Sequence, residues 1–259
     1  MRLLSVPKSI EPFVTDIFIL ENDEEDKVTE YSFYADGFPG IIYSNSTNPF
    51  YLQPGNKELS DFYLYGQTIE PIILSTKGPF KLYCIRLFPF AVRILLGVNP
   101  QMLNDDCYDL KLVENINTDE TIEKLFRTKD DNEVLEILAG YFNQLLQNAS
   151  ANPDYRIKLA INLILKTNGA VSIKELRERL SVTERTFERQ FVKEIGVTPK
   201  QFAKIIQFSF SRKHLTDSDY FNLTEISFKS GFADQSHFIR SFKRYTGKTP
   251  KEFLKQLSF

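Results

Sequence analysis

The feature that most constrains the fold of this chain is an internal repeat near its end. Residues 189–204 read R-Q-F-V-K-E-I-G-V-T-P-K-Q-F-A-K, and residues 240–255 read R-S-F-K-R-Y-T-G-K-T-P-K-E-F-L-K. Glycine accepts positive φ and so ends a helix well, whereas proline in Thr-Pro is preorganised for the first helical position. Each copy therefore predicts a helix that ends at Gly196 or Gly247 and a new helix that begins at Thr-Pro.

A second pair of similar segments precedes the two copies. Residues 173–176 read I-K-E-L and residues 223–226 read L-T-E-I, so each copy also begins with a short helix and a tight turn. Two copies with such a long period are too few for a solenoid. The repeat therefore predicts two helix-turn-helix units.

The charge of the chain is divided between its two halves. Residues 1–150 contain 12 Lys and Arg against 23 Asp and Glu, a net charge of −11. Residues 151–259 contain 20 against 11, a net charge of +9. This asymmetry indicates two domains, of which the basic one suits a polyanion such as nucleic acid. The alternative is that the basic residues only form a solvated surface.

The first half has the hydrophobic pattern of strands. Short runs rich in Ile, Phe and Tyr are separated by Asn, Gly, Pro and charged residues, as is usual for strands and turns. The runs lie at residues 12–20, 28–34, 40–43, 61–65, 71–74 and 80–88. Short strands at this spacing predict a small β-barrel or sandwich.

Helical periodicity then replaces the strand pattern. Residues 89–96 and 118–126 predict short helices, and residues 133–146 predict a longer helix with a wide apolar stripe. The polar stretch that follows ends at Pro153 and marks a domain boundary. We therefore predict an α+β protein with two domains. Residues 1–150 form a β-rich domain that ends in amphipathic helices, and residues 155–259 form an all-α domain.

The second copy of the repeat carries a recognisable signature. Residues 231–238 read G-F-A-D-Q-S-H-F, followed by F-K-R at 242–244 and G-K-T-P at 247–250. This pattern resembles that of the AraC/XylS family of transcription regulators over residues 155–259. The resemblance implies a seven-helix domain in which a long helix, here about residues 198–215, joins the two helix-turn-helix units. It also implies that both second helices enter successive major grooves of double-stranded DNA, about 34 Å apart.

The resemblance also assigns residue roles in both copies. The recognition helix of the first copy is residues 184–195, with Phe187 and Phe191 in the core, and the second copy buries Phe238 and Phe242. The DNA-facing residues are Arg185, Glu188 and Arg189 in the first copy and Gln235, Ser236, His237, Arg240 and Lys243 in the second.

These residue types have the chemistry to read bases. Arginine binds guanine in bidentate fashion, glutamate accepts from cytosine N4, and glutamine pairs with adenine. Arg240 suits guanine or a phosphate, and Lys243 suits a phosphate. A solvated helix face is the alternative for Arg185 and Arg189. For His237 the alternative is a structural or phosphate-facing role.

Three positions depart from the family pattern. Arg177 occupies a place where a small residue is usual, Ser181 replaces a common glycine, and Gln207 replaces a common arginine on the connecting helix. A bulky Arg177 is expected to alter the packing of the first copy. The second copy keeps Ser227 and Gly231 at the corresponding places.

The first domain resembles, more weakly, the β-rich sensor domains that precede this DNA-binding domain in many family members. The similar stretches are Y-A-D-G at 34–37, G-Q at 66–67, I-R-L-F-P at 85–89 and L-L-G at 95–97. The resemblance implies a small barrel that binds an effector. A metal-binding barrel needs clustered histidines, and His214 and His237 both lie in the other domain, so we expect no metal or cofactor.

The residues that would bind an effector are not assigned by the sequence. The 11 Phe and 9 Tyr of residues 1–150 are enough to line an apolar pocket, but they are equally suited to filling a core. Arg86 and Arg93 could pair with an anionic effector or balance the acidic surface around them.

Three functional classes remain open. The first is a DNA-binding regulator controlled by a small molecule, and the second is a regulator whose first domain binds a protein. The third, an enzyme fused to a DNA-binding module, is disfavoured because Cys84 and Cys107 lack a reactive-cluster spacing and no catalytic triad stands out. We therefore expect no enzymatic activity.

Several expectations concern partners and location. RNA polymerase is an expected partner if the protein is an activator, and a second copy of the chain is expected to dock on the apolar helix at 133–146. A Leu138→Glu, Phe142→Glu variant would test this dimer by ultracentrifugation. The sequence has neither an apolar signal segment nor a run of membrane-spanning length, so a cytoplasmic protein is expected.

Overall fold

The computed structural model describes residues 1–149, 154–217 and 222–257. Within these ranges, the strands are β1 (Arg2–Leu4), β2 (Val14–Asn22), β3 (Val28–Phe33), β4 (Gly40–Ser46), β5 (Tyr51–Gln53), β6 (Lys57–Glu58), β7 (Phe62–Tyr65), β8 (Ile72–Lys77), β9 (Phe80–Leu87) and β10 (Cys107–Asp109). The helices are α1 (Ala91–Leu96), α2 (Thr118–Arg127), α3 (Asp131–Asn148), α4 (Tyr155–Lys166), α5 (Ile173–Arg179), α6 (Glu184–Ile195), α7 (Pro199–Thr216), α8 (Leu223–Lys229), α9 (Gln235–Thr246) and α10 (Pro250–Leu257). Two short 3₁₀ turns, Pro100–Leu103 and Leu110–Leu112, lie between α1 and α2.

The strands form two antiparallel sheets. The larger sheet has the order β1-β2-β9-β4-β7-β10 and the smaller one β3-β8-β5-β6. Strand β9 lies inside the larger sheet, where Ile85 pairs with Ile17 of β2 and with Ile41 of β4. Successive side chains of a strand point to opposite faces, so β9 is apolar on both.

Each face of the larger sheet is covered by a different layer. On one face, Leu82 and Cys84 belong to a core shared with Leu74 of the smaller sheet. On the other, Ile85 belongs to a core shared with the helices, including Leu138 of α3. The first half is therefore a helix-backed pair of sheets, and the predicted α+β class with a β-rich first region is confirmed.

The apolar stripe of α3 is used inside this chain. Leu138 and Phe142 are only 2% and 1% exposed, because both pack in the core between the helices and the larger sheet. The homodimer stays a prediction, and a second copy would have to contact exposed residues instead of these two.

The second half is helical, and within the described residues it contains the seven predicted helices, α4 to α10. Helix α6 has the predicted bounds, and α7 lies one residue from the predicted helix at each end. Side-chain caps begin these helices: Ser172 caps α5, Thr183 caps α6 and Thr198 caps α7. Each cap accepts from a backbone N–H that lacks a partner within its helix.

The predicted domain boundary lies partly outside the described residues, which omit 150–153. Among the helices in the described parts of the chain, none combines the length and the hydropathy needed to cross a membrane.

Candidate nucleic-acid interface

The two copies of the repeat share one scaffold helix, α7. Phe202 and Ile206 of α7 are buried in the core of the first copy with Phe187 and Phe191. Ile205 and Phe208, on another side of the same helix, are buried in the core of the second copy. Because α7 contributes to both cores, it fixes α6 and α9 to one rigid element.

Helix α6 buries one face and exposes the other. Phe187 and Phe191, one helical turn apart, are 2% and 0% exposed. The three residues predicted to face DNA, which we call the first reading face, are Arg185, Glu188 and Arg189. All three are exposed, and none has an ion pair within the described parts of the chain. The structure brings the three side chains together on one exposed side of α6, and their contact with DNA stays a prediction.

Helix α9 repeats this arrangement with differences. Phe238 and Phe242 are both 0% exposed, which leaves a second reading face of Gln235, Ser236, His237 and Arg240. Asp234 caps the helix by accepting from the His237 backbone N–H at 2.7 Å.

The residues of the second reading face and the neighbouring Lys243 differ in their exposure and in the contacts that they already make. Ser236, Arg240 and Lys243 are exposed. The Gln235 side-chain oxygen accepts from the Thr224 hydroxyl at 3.0 Å. The His237 ring is half-buried and stands edge-on to Phe232, with 5.3 Å between ring centroids. Ser236, Arg240 and Lys243 are therefore available to a ligand as they stand, whereas Gln235 and His237 already have structural contacts.

Ser181 and Arg177, which depart from the family pattern, are both accommodated in the fold of the first copy. Ser181 adopts a φ of +53° at a turn where Gly231 of the second copy has +73°, so the serine holds a left-handed backbone. Arg177 is half-buried at the edge of a cleft between α5, α6 and α7 instead of entering the core. Leu176 beside it is 0% exposed and keeps its place in the core of the first copy.

Gln207 has a definite structural role on the connecting helix. Its side chain is 9% exposed, and its amide nitrogen donates to the Ser230 carbonyl oxygen at 2.9 Å. Ser230 is the C-cap of α8, whose last carbonyls lack helical partners. Gln207 therefore fixes the end of the first helix of the second copy.

The first copy also packs against the β-rich half of the chain. Phe90, the N-cap of α1, and Ile94 within α1 are 6% and 4% exposed and belong to the same hydrophobic core as Phe187 and Phe191. The core of the first copy is therefore completed by a helix from outside the repeat.

Polar contacts fasten the end of α6 to the same region. The Arg93 guanidinium pairs with the Glu194 carboxylate at 3.3 Å, and the Asn104 amide donates to the Gly196 carbonyl oxygen at 3.0 Å. A methyl group at Gly196 would lie 2.8–2.9 Å from backbone atoms of Pro100 and Gln101. Only a glycine allows this approach with φ at +89°. Sequence reasoning missed the interface, because no motif marks it.

A half-buried charge cluster lies where the β-rich half meets α7. Arg86 donates to Asp16 at 2.6 Å and to Asp36 at 3.4 Å, so both carboxylates neutralise it. Burial raises the pKa of Asp36, although the Arg86 charge opposes the shift. On α7, burial lowers the pKa of Arg212, whose guanidinium lies 5.7 Å from the Tyr34 ring centroid.

The ion pairs of Arg86 and Arg93 bear on whether these arginines bind an anionic effector. Arg86 and Arg93, considered as partners for an anionic effector, both bind carboxylates of the chain itself. Each is therefore a structural cation at the junction in this conformation.

The space between the two sheets is nearly filled. The cavity there measures about 20 Å³ and is lined by Phe33, Ile42, Tyr63, Tyr65 and other residues of both sheets. That volume is about the size needed for a single water molecule. The aromatic residues of the first half thus act mainly as core.

The cysteines are buried and unreactive. Cys84 is 0% exposed, and burial raises the pKa of its thiol. Burial raises the pKa of the Cys107 thiol to about 12. Because the thiolate is the nucleophile, neither sulfur is activated. The described residues also contain no group of three or more His, Cys, Asp or Glu placed to hold a metal ion.

Two known domain families match this chain. Residues 176–256 match a family described as a helix-turn-helix domain, and residues 6–109 match a domain of unknown function (DUF6597). Among curated proteins, the HTH-type transcriptional activator RhaS of Escherichia fergusonii is 35% identical over 83 residues, or 32% of this chain and 30% of that protein. RhaS of Yersinia pestis is 33% identical over 88 residues, or 34% of this chain and 32% of that protein. The match thus spans about a third of the length of these relatives.

Solved structures match over most of the chain. ToxT from Vibrio cholerae O395 aligns with a TM-score of 0.50 and 14% identity, over 96% of this chain and 99% of that one. ToxT bound to (E)-4-(8-methylnaphthalen-1-yl)but-3-enoic acid aligns with a TM-score of 0.51 and 13% identity, over 93% and 98% of the two chains. At this identity the likeness shows a shared fold.

Proposed function

We propose that this chain is a sequence-specific DNA-binding transcription regulator, since residues 176–256 match a helix-turn-helix family and the repeat resembles the AraC/XylS pattern. The observation that carries the proposal is the pair of repeated units, which hold α6 and α9 on one shared helix and expose polar residues on both. The positive charge of residues 151–259 supports the same conclusion, because DNA is a polyanion.

The two reading faces suggest a division of labour. The side-chain chemistry of Arg185 and Arg189 suits guanine and that of Glu188 suits cytosine, so the first face is suited to G·C pairs. In the second face Arg240 suits guanine or a phosphate, and Gln235 suits adenine once it leaves Thr224. We assign His237 to the phosphate backbone or to the helix packing, since its ring already contacts Phe232.

The test is a comparison of cognate and unrelated DNA. The binding site is first selected from a random duplex library with the whole protein. Arg189→Ala and Arg240→Ala are then each expected to cost about 1–3 kcal/mol on the selected site and much less on unrelated DNA. Lys243→Ala, which removes a phosphate contact, is expected to weaken both DNAs alike and to flatten the salt dependence.

Two results would count against this function. If selection enriches no sequence, the protein does not read bases. If the two arginine variants lose equal affinity on both DNAs, the arginines only position the backbone.

We further propose that the β-rich half controls DNA binding through α1. A signal that moves α1 acts directly on α6, because Phe90 and Ile94 share its core and Arg93 pairs with Glu194. A small molecule controls the protein only if it binds two conformations with different affinity. ToxT, which shares the fold, has been solved with a carboxylic acid bound, and this favours an effector of that kind here.

The nearly filled space between the sheets limits where such an effector could bind. A cavity of about 20 Å³ does not hold a metabolite, so a ligand there would require the sheets to part. Native mass spectrometry of the purified protein distinguishes the alternatives. A bound small molecule supports the metabolite effector, and its absence together with a co-purifying protein supports control by a protein partner.

The remaining proposals concern the protein partner, the location and the oligomeric state expected of a transcription regulator. RNA polymerase is the expected partner if the protein activates, and the cytoplasm is the expected location because its DNA target lies there. A homodimer is proposed through a surface other than Leu138 and Phe142. Sedimentation as a monomer at high micromolar concentration would exclude the dimer.

A further inference from the structure

The cleft beside Arg177 is a second surface of the first helix-turn-helix unit. It has a volume of about 540 Å³ and lies between α5, α6 and the start of α7. Its charged lining residues are Lys174, Arg177, Glu184, Glu188, Lys200 and Lys204. Among the residues that the structure describes, none of these six side chains has an ion-pair partner.

The positive and negative charges of the cleft come from different helices. The cations come from α5 (Lys174, Arg177) and α7 (Lys200, Lys204), whereas both carboxylates come from α6. The lining holds four cations against two carboxylates, so the cleft carries a net positive charge. Its field attracts an anion between α5 and α7.

The cleft is continuous with the first reading face. Glu188 belongs to both, and Glu184 lies beside Arg185 along a shallow surface that runs onto Arg189. A ligand in contact with the reading face therefore extends to the cationic walls. The DNA strand that borders a major groove is such a ligand, because it carries a phosphate at each nucleotide and so continues past the groove as a polyanion.

The second copy lacks this feature at the matching position. Ser227 stands where the first copy has Arg177, is 0% exposed, and donates its hydroxyl to the Thr224 carbonyl oxygen at 2.7 Å. A small side chain therefore satisfies the packing of this unit, so the size of Arg177 is not a structural requirement. Its charge at the cleft needs another explanation.

We propose that the cleft is a phosphate-binding site, in which Arg177, Lys200 and Lys204 hold the DNA backbone next to the groove read by α6. This inference rests on the DNA-binding function proposed above. It assigns Arg177 to affinity for all DNA and leaves base reading to Arg185, Glu188 and Arg189. At Arg177 the first unit then has a backbone contact that the second unit, with Ser227 at the matching position, does not have.

The test measures the salt dependence of binding for the whole chain. The probe is a labelled duplex of mixed sequence, about 30 base pairs or three helical turns long. Arg177→Ser installs the residue of the second copy, and it is expected to lower the slope of log affinity against log salt by about one unit. The double variant Lys200→Ala, Lys204→Ala is expected to lower the slope as well, by an independent change on α7.

The matched control is Arg179→Ser. Arg179 lies on the same helix, is exposed, and does not line the cleft, so its loss should leave the slope unchanged. Thermal melting checks that each variant is folded. If Arg177→Ser and the double variant both keep the wild-type slope, or lower it no more than Arg179→Ser does, the phosphate site is refuted. If the wild type itself binds no duplex at low salt, the proposed DNA-binding function fails instead.

Discussion

Replacing Gly196 by alanine tests the contact between α6 and the β-rich half. Gly196 ends α6 with φ at +89°, and a Cβ there would lie 2.8 Å from the Pro100 carbonyl carbon and 2.9 Å from the Gln101 nitrogen. Both neighbours are backbone atoms, which cannot turn aside as a side chain does. The substitution must therefore strain the glycine position and push the two regions apart.

The loss of unfolding free energy in Gly196→Ala has two parts, backbone strain and overpacking. An L-residue in the left-handed region costs about 1–2 kcal/mol, of which the lower entropy of the unfolded alanine chain offsets about 0.4–1 kcal/mol. Overpacking against a fixed neighbour adds about 1–3 kcal/mol. Gly196→Ala should thus lower the free energy of unfolding by about 2–4 kcal/mol.

The chain supplies its own control in Gly247. It ends α9 at the same place in the second copy, with φ at +73°, but a Cβ there meets no atom within 4 Å. Gly247→Ala should cost only the backbone part, about 1 kcal/mol. The difference between the two variants isolates the contact with Pro100.

Urea unfolding followed by far-ultraviolet circular dichroism measures both variants. Tryptophan fluorescence is not an option, because the chain has no tryptophan. Equal destabilisation by the two substitutions would refute the reasoning, since it would mean that α6 does not approach Pro100 in solution.

Two further predictions concern stability. Ser181→Gly should raise the free energy of unfolding by up to about 1 kcal/mol, because glycine relieves the left-handed backbone at φ +53°; a loss of stability in urea unfolding would contradict it. Asp131 lies among Arg2, Lys81 and Tyr83. Burial alone would raise the pKa of Asp131, but hydrogen bonds from these three side chains outweigh it and hold that pKa below its ordinary value. The resulting stability is present above the unfolded pKa of about 3.9 and is lost as pH falls toward the folded value. Wild type should therefore exceed Asp131→Asn in melting temperature at neutral pH, with a gap that narrows below about pH 4; a gap independent of pH would contradict the assignment.

The regular elements were largely predictable from periodicity. All six strand runs found in the sequence correspond to strands, and the predicted helix at 184–195 has the observed bounds. The additional strands β1, β5, β6 and β10 have two or three residues each. Segments this short carry no alternation to detect, and their pairing is decided by the neighbouring strand.

The candidate site was predictable only where a residue acts through its place on one helix. Arg185 and Arg189 are exposed because Phe187 and Phe191 take the other face, which the helical period already implies. The role of Glu194 was hidden, because its partner Arg93 lies 101 positions away in the chain. Likewise, the sequence around Phe90 does not indicate whether its side chain packs in the core of the β-rich half or in the core of the first helix-turn-helix unit.

The place of Phe90 and Ile94 in the core of the first helix-turn-helix unit has an evolutionary consequence. A recombination event between residues 149 and 154 would separate the helix-turn-helix half from two side chains that complete its core. A different N-terminal half would have to supply an equivalent helix. Substitutions at positions 90 and 94 should therefore covary with those at 187 and 191 across relatives, and the inherited unit is larger than the helix-turn-helix pair.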